Sequence, residues 1–199
     1  MRDVLIPTLL FAISMTATPG PNNMLLTAAG ASFGFKRTVP VMIGMVLGFQ
    51  SQLLLGAIGL GALFTGLPLL QSILRVVGVG YLLYLAWRIA FAAAPDGGQQ
   101  AATPAKSLTL IEGALFQYVN PKAWIASMTA MSVYPLPGAA YTRTSLTVAL
   151  VFLVIMPLSI SLWAAFGTLI GGLLAKRIGR WLNIALGMLT AASAVFVVI

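Results

Sequence analysis

TATPGPNNMLL, residues 16–26, interrupts an apolar run, Val4–Phe33, that is long enough to cross a bilayer. Two prolines, a glycine and two asparagines stand where a membrane helix is most regular. Proline removes a backbone donor and clashes with the carbonyl four residues back. Two prolines flanking a glycine therefore unwind about a turn. Unwound backbone is tolerated at membrane depth only where it lines a cavity or is packed against protein. The sequence thus places the Pro19–Pro21 break toward the interior of a helical bundle. The half-helix that starts near Asn22 offers free N–H groups and a partial positive charge, a seat for a carboxylate. Asn22 and Asn23 add neutral donors and acceptors.

Composition defines the solvent. Of the 199 residues 60% are hydrophobic and 7% charged, against about 25% charged in a soluble domain. There is too little polar surface to cover a soluble globule, so the chain is expected in lipid. Met1–Asp3 leads straight into an apolar stretch with no small-residue cleavage site, so the first span is expected to be retained. Cysteine and histidine are absent, which leaves no disulfide, thiol chemistry, or Cys or His metal site. With three acids in the chain, a carboxylate metal cage is not expected either, and no cofactor is implied. The net charge of +8 does not form a solvated basic face of the kind nucleic acid needs. Its cations lie in short loops between apolar runs, as membrane topology signals do.

A span needs about 20 apolar residues. Six stretches qualify: Val4–Phe33, Val39–Phe64, Pro68–Ala93, Leu108–Val133, Thr144–Leu174 and Ile178–Ile199. They are divided by a basic turn at Gly34–Thr38, a tight turn at Thr65–Pro68, a polar linker at Ala94–Ser107, a Pro-rich turn at Tyr134–Arg143 and a short basic turn at Ala175–Arg177. Lys36, Arg37, Lys106, Lys176 and Arg177 fall in the odd-numbered loops, with Arg88 and Arg180 close by; Arg2 and Arg143 lie on the other side. This bias puts the odd loops in the cytoplasm and both termini outside.

The chain is read as a single transmembrane domain, residues 1–199, of all-α class. The linker, about 94–107, divides it into repeats of about 1–95 and 108–199, each with three spans. An odd number of spans per half makes the halves insert in opposite directions, as inverted repeats. Each half opens with a broken span: Thr18-Pro19-Gly20-Pro21 in the first, Asn120-Pro121-Lys122 in the second. Paired interruptions at corresponding positions point to a transporter's binding site. Pro121 frees a carbonyl near Gln117, and Asn120 can satisfy freed backbone or touch substrate. Lys122 is a cation well inside the bilayer, which normally faces a wet cavity. It can hold a substrate carboxylate or, when desolvated, exchange protons. Gln50, Ser51 and Gln52 begin a polar patch in the second span. Glu112 complements the N-terminus of the fourth span, Arg75 snorkels outward, and Pro157 is a kink. Gly30/Gly34, Gly44/Gly48 and Gly167/Gly171 are small-xxx-small pairs for close helix approach, within the bundle or at the seam of a homodimer.

The stretches TPGPNNMLL, GFKRT, VGVGYLLYLAWRIA (residues 77–90) and FQYVNPKAW (residues 116–124) together resemble the LysE/RhtB family of bacterial amino-acid exporters. The amide pair after Pro21 and WLNIALGMLTAASAVFVV (residues 181–198) look most like the cysteine/O-acetylserine exporter branch. The resemblance implies an inner-membrane exporter driven by the proton gradient. It implies that Pro19, Gly20, Pro21, Asn22, Asn23, Asn120, Pro121 and Lys122 lie at the functional centre. Many members carry Asp where this chain has Asn22, and basic residues before Gly113, where this chain has Ile111-Glu112.

Small neutral, zwitterionic amino acids are the expected cargo, because no mid-membrane acid awaits a cationic side chain. Export of threonine, homoserine, leucine or lysine, or an uncoupled channel, is the alternative. An intramembrane enzyme needs a nucleophile with its base, or a metal. Without His or Cys only a Ser–Lys pair around Lys122 is left, and nothing in the sequence sets a serine against it.

Overall fold

The computed structural model describes residues 2–59, 66–92 and 107–195, with side chains described at all of these except 68, 70, 71 and 174–179. Most of the linker expected at 94–107, Thr65 of the tight turn, and the last four residues of the final span lie outside the described residues. Within them the secondary structure is entirely helical. The helices are α1 (Arg2–Ala17), α2 (Pro21–Phe33), α3 (Phe35–Ala57), α4 (Pro68–Ala90), α5 (Leu110–Val119), α6 (Pro121–Val133) and α7 (Tyr141–Ala192), with a 3-10 turn at Gly138–Ala140.

Each interruption follows from local proline chemistry. A residue before proline is pushed out of the helical region. Thr18 precedes Pro19 and Gly20 precedes Pro21, so two consecutive restrictions end α1, and Gly20 is fully extended. Pro21 then opens α2 at a position where its missing N–H is no loss. α1 and α2 meet at a bend of 54°. Asn120, before Pro121, is likewise extended, and its side chain accepts from Lys122 N at 3.0 Å to cap α6. The single prolines Pro7, Pro40 and Pro157 lie inside continuous helices.

Among the described residues three segments are long and apolar enough to cross a membrane: Phe35–Ala57, Ser72–Ala90 and Gly138–Leu173. The bent pair α1 and α2 passes the same test together, and α5 is a shorter apolar helix. Large apolar side chains cover the outside: Leu10, Leu69, Val76, Leu162, Leu173 and Trp181 are all exposed. Such a surface aggregates in water and suits lipid. The chain is a helical membrane protein.

One expectation is corrected. The turn expected at Ala175–Arg177 is absent, and α7 runs through it as a helix of 52 residues. Alanine, lysine and arginine are strong helix formers, and no proline or glycine cap falls among them. Charge can mark a membrane boundary without ending a helix.

Helix pairing is set by small residues. α2 packs on the first part of α7, α5 on α3, and α4 on the last part of α7. A Cβ at Gly167 would fall on the Thr27 carbonyl, one at Gly171 on that of Ala31, and one at Gly30 on that of Ala164. Across the other pair, Gly44 meets the Leu110 carbonyl and Gly113 meets that of Val41. These glycines are used inside the bundle. Gly34 is the exception in its pair: it has a φ of 79°, a Cβ there would meet nothing within 4 Å, and it turns the chain from α2 into α3. At the end of α7, buried Asn183 accepts from Ser32 Oγ at 3.1 Å and donates to the Ala92 carbonyl at 2.9 Å.

Candidate functional site

The two interruptions lie against each other. Asn120 Nδ2 donates to Asn22 Oδ1 at 2.7 Å, and Asn22 Nδ2 donates to Gln117 Oε1 at 3.1 Å. Gln117 Nε2 donates in turn to the Met45 carbonyl at 3.1 Å, and Gln52 Nε2 to the Gln117 carbonyl at 2.8 Å. A relay of four amides thus ties both breaks to α3. All its members are buried except Asn22, which is partly buried. Neutral amides meet buried backbone carbonyls without the desolvation cost of a charge.

Asn23 closes the first break from within. Its Nδ2 donates to the carbonyls of Thr16 at 2.9 Å and Thr18 at 2.8 Å. These are acceptors that the end of α1 leaves unpaired. Lys122 crosses from the second break to the first. Its Nζ donates to Thr18 Oγ1 at 2.8 Å and to the Thr18 carbonyl at 3.2 Å, with the Pro19 carbonyl at 3.5 Å. The ammonium therefore sits at the carbonyl end of α1, where the helix dipole favours a cation.

Gly20 permits this approach. A Cβ there would lie 3.1 Å from Lys122 Nζ and 3.2 Å from its Cδ. Gly20 is also the N-cap of α2, and no side chain caps that terminus. Two sources of positive potential, the Lys122 ammonium and the uncapped α2 N-terminus, therefore converge at one glycine. By contrast α6 is capped by Asn120, and α5 carries a capping box in which Thr109 Oγ1 and the Glu112 carboxylate exchange bonds with each other's backbone N–H.

A cavity of about 40 Å³ opens here. One side is polar, with Thr16, Thr18, Asn22, Asn23, Asn120 and Lys122; the other is apolar, with Met15, Phe49, Phe152, Met156 and Ile160. Among the described residues no acidic side chain lines it. Of the residues singled out from sequence, Gly20, Asn22, Asn23, Asn120 and Lys122 line the cavity, while Pro19, Pro21 and Pro121 are not among its lining residues. Thr18 belongs to the first break, Gln52 to the polar patch of the second span, and Gln117 to the turn whose carbonyl Pro121 frees, but the sequence does not assign their side chains to the site; that Gln117 carbonyl accepts from Gln52 Nε2.

Glu112 lies elsewhere. It pairs with Arg88, which also donates to the Ser107 carbonyl at 3.3 Å and sits over the Tyr84 ring. Its residue carbonyl accepts from Tyr81 Oη at 3.0 Å. The acid is engaged in joining α4 to the start of α5.

A helical membrane protein whose broken helices meet around a small polar cavity has the construction of a transporter. The chain belongs to the LysE type translocator family, whose pattern matches residues 13–199. It is 32% identical over 194 residues to the cysteine/O-acetylserine efflux protein of Escherichia coli (strain K12), covering 95% of this chain and 97% of the relative. A protein of the same description from Shigella flexneri is 31% identical over 185 residues, covering 93% of this chain and 92% of the relative. No solved structure matches the chain.

Proposed function

We propose that this chain exports small neutral amino acids across the bacterial inner membrane by alternating access, coupled to protons. The observation that carries the substrate class is the convergence of Lys122 Nζ and the uncapped α2 N-terminus at Gly20, in a cavity lined by no acid among the described residues. That constellation offers a seat to a carboxylate. It offers amide oxygens to an α-amino group and an apolar wall of Phe49, Phe152 and Met156 to a small uncharged side chain. A cationic side chain would find no counter-charge. The relatives named for cysteine and O-acetylserine efflux carry cargo of this class by name.

In this mechanism the substrate carboxylate takes Lys122 from Thr18, which loosens the contact between the two breaks. The halves then rock about the site and expose it to the other side. Among the described residues Lys122 is the titratable side chain that lines the cavity, and it is the group proposed to exchange the coupling proton. The pairing of helices supports two inverted halves, with α7 running through the boundary expected between the fifth and sixth spans. The broken span of the first half, α1 and α2, packs mainly on α7, and that of the second half, α5 and α6, on α3. Each break is thus packed on a helix of the opposite half. The cluster of Lys36, Arg37, Lys106, Lys176 and Arg177 supports a cytoplasmic location for that end of the bundle.

Efflux from cells loaded with cysteine, O-acetylserine, threonine, leucine or lysine, with and without the protein, tests the assignment. Accelerated efflux of the neutral substrates is expected. Efflux confined to lysine overturns the neutral-substrate reading. Flux unaffected by collapse of the pH gradient at held voltage overturns proton coupling.

A further inference from the structure

A second cavity, of about 450 Å³, lies between α3, α6 and α7. The same three helices line the central cavity, but no residue is shared. Its walls are Gln50, Leu54, Met131, Tyr141, Ser145 and Ala149, and none of its lining residues is charged. Its rim belongs to the outer apolar surface: Leu54 is 63% exposed, Ile58 64% and Leu146 58%. A cavity with such a rim opens onto whatever solvates the protein, and for this chain that is hydrocarbon.

One buried polar atom of a residue in its wall has no partner. Ser145 is 7% exposed, and its Oγ makes no hydrogen bond. Its neighbours on α7 behave differently. Thr144 donates back to the Ala140 carbonyl at 2.8 Å and Thr147 to that of Arg143 at 2.9 Å. A buried hydroxyl without a partner is uncommon and asks for an acceptor. Gln50 Nε2 does not meet that need, because it donates to the Ala149 carbonyl at 3.2 Å.

Depth identifies the acceptor. Tyr141 Oη donates to the Ala57 carbonyl at the end of α3, at 2.8 Å. Tyrosines of this kind mark the membrane interface. Ser145 lies one turn along α7 from Tyr141, about 6 Å deeper. This is the level at which a lipid's polar backbone gives way to its chains. An occupant must therefore be apolar along most of its length, uncharged where it enters, and carry an acceptor just below the interface.

We propose that this cavity holds one acyl chain of a membrane phospholipid, with its ester carbonyl accepting from Ser145 Oγ. Because the walls carry no charge, the site selects the chain and ester and ignores the headgroup. The inference rests on the chain lying in a membrane and is independent of what it exports.

Native mass spectrometry of the full-length protein, extracted from membranes in mild detergent, tests this. One phospholipid is expected to stay bound to the wild type. Ala149→Trp, which fills the cavity, is expected to abolish retention, and Ser145→Ala, which is nearly isosteric and leaves packing intact, to weaken it several-fold. Add-back of phosphatidylethanolamine and phosphatidylglycerol with identical chains is expected to restore binding equally. Circular dichroism and size-exclusion profiles identify any variant that has failed to fold, and Ser145→Ala then decides alone. Retention unchanged in the folded variants, retention that follows the headgroup, or a wild type that keeps no lipid overturns the proposal.

Discussion

Asn120 Nδ2 donates to Asn22 Oδ1 across 2.7 Å, so the residue before one helix break is bonded to the second residue after the other. The two residues are 98 positions apart in the chain and on opposite sides of its central linker. Any motion that separates the halves at this level must break that bond or carry it along.

The first prediction concerns this bond. Asn22→Ala and Asn120→Ala each remove one side of it. A neutral buried hydrogen bond is worth about 1 kcal/mol, so each variant is expected to lower efflux about fivefold. Because either substitution already removes the bond they share, the double variant is expected to lose less than the two single losses combined, the Gln117 contact of Asn22 and the α6 cap of Asn120 being lost separately. Asn22→Asp is expected to be harsher. It keeps an acceptor for Asn120 but sets a carboxylate oxygen against Gln117 Oε1, and Gln117 Nε2 is committed to the Met45 carbonyl. Initial efflux rates, normalised to protein in the membrane, check the series. Additive losses in the double variant would show that the bond is not the shared element.

Lys122 carries the second prediction. Its ammonium holds Thr18 Oγ1 at 2.8 Å and the Thr18 carbonyl at 3.2 Å. Lys122→Met preserves length and packing and removes the charge. If the ammonium receives a carboxylate, efflux falls by about ten- to a hundredfold, the worth of a hydrogen bond to a charged group at about 1.5–3 kcal/mol. Membrane insertion is expected to be unchanged. Thr18→Val removes one acceptor of the resting contact and leaves the charge, so a smaller loss is expected. Counterflow of labelled substrate in proteoliposomes measures both. Wild-type counterflow in Lys122→Met would remove the lysine from the site.

The difference between these residues explains what was readable in advance. Proline acts within four residues of itself, so the breaks at Pro19–Pro21 and Pro121, and the amides beside them, were legible in sequence. Gln117 and Gln52 belong to the same network, yet their roles depend on α3 passing both breaks, and nothing local encodes that. Gly34 looked like half of a packing pair with Gly30, since spacing alone cannot separate a packed glycine from a turning one. Its positive φ makes the difference. Ala175–Arg177 read as a turn because charges there signal topology. Backbone continuity is governed by propensity and capping, and these residues favour helix.

The third prediction uses two glycines of α7 five residues apart. A Cβ at Gly167 would collide with the Thr27 carbonyl, which is backbone and cannot turn aside, whereas one at Gly172 would meet nothing within 4 Å. Gly167→Ala is expected to destabilise by about 1–3 kcal/mol through overpacking. Gly172→Ala is expected to be neutral or to stabilise by up to about 1 kcal/mol, because alanine favours the helix. Thermal melting in detergent distinguishes them. Equal melting temperatures would mean that α2 and α7 do not approach as closely as described.

The last prediction separates structure from coupling at Glu112. An acid in a membrane helix invites a proton-carrying role. Here it is engaged on three sides: Arg88 pairs with it, its Oε2 accepts from Thr109 N at 2.7 Å, and its own N–H donates to Thr109 Oγ1 at 3.2 Å. It does not line the central cavity. A group so occupied cannot release its charge on each cycle without uncapping α5 and freeing Arg88. Glu112→Gln retains an acceptor for Thr109 N and loses the ion pair. Its side chain and that of Arg88 are 16% and 15% exposed, so the expected cost is modest, about 1–3 kcal/mol of stability. Efflux per folded molecule should keep its full dependence on the pH gradient. If Glu112→Gln instead melts like the wild type but transports without regard to the gradient, the coupling proton travels through α5 and Lys122 serves substrate alone.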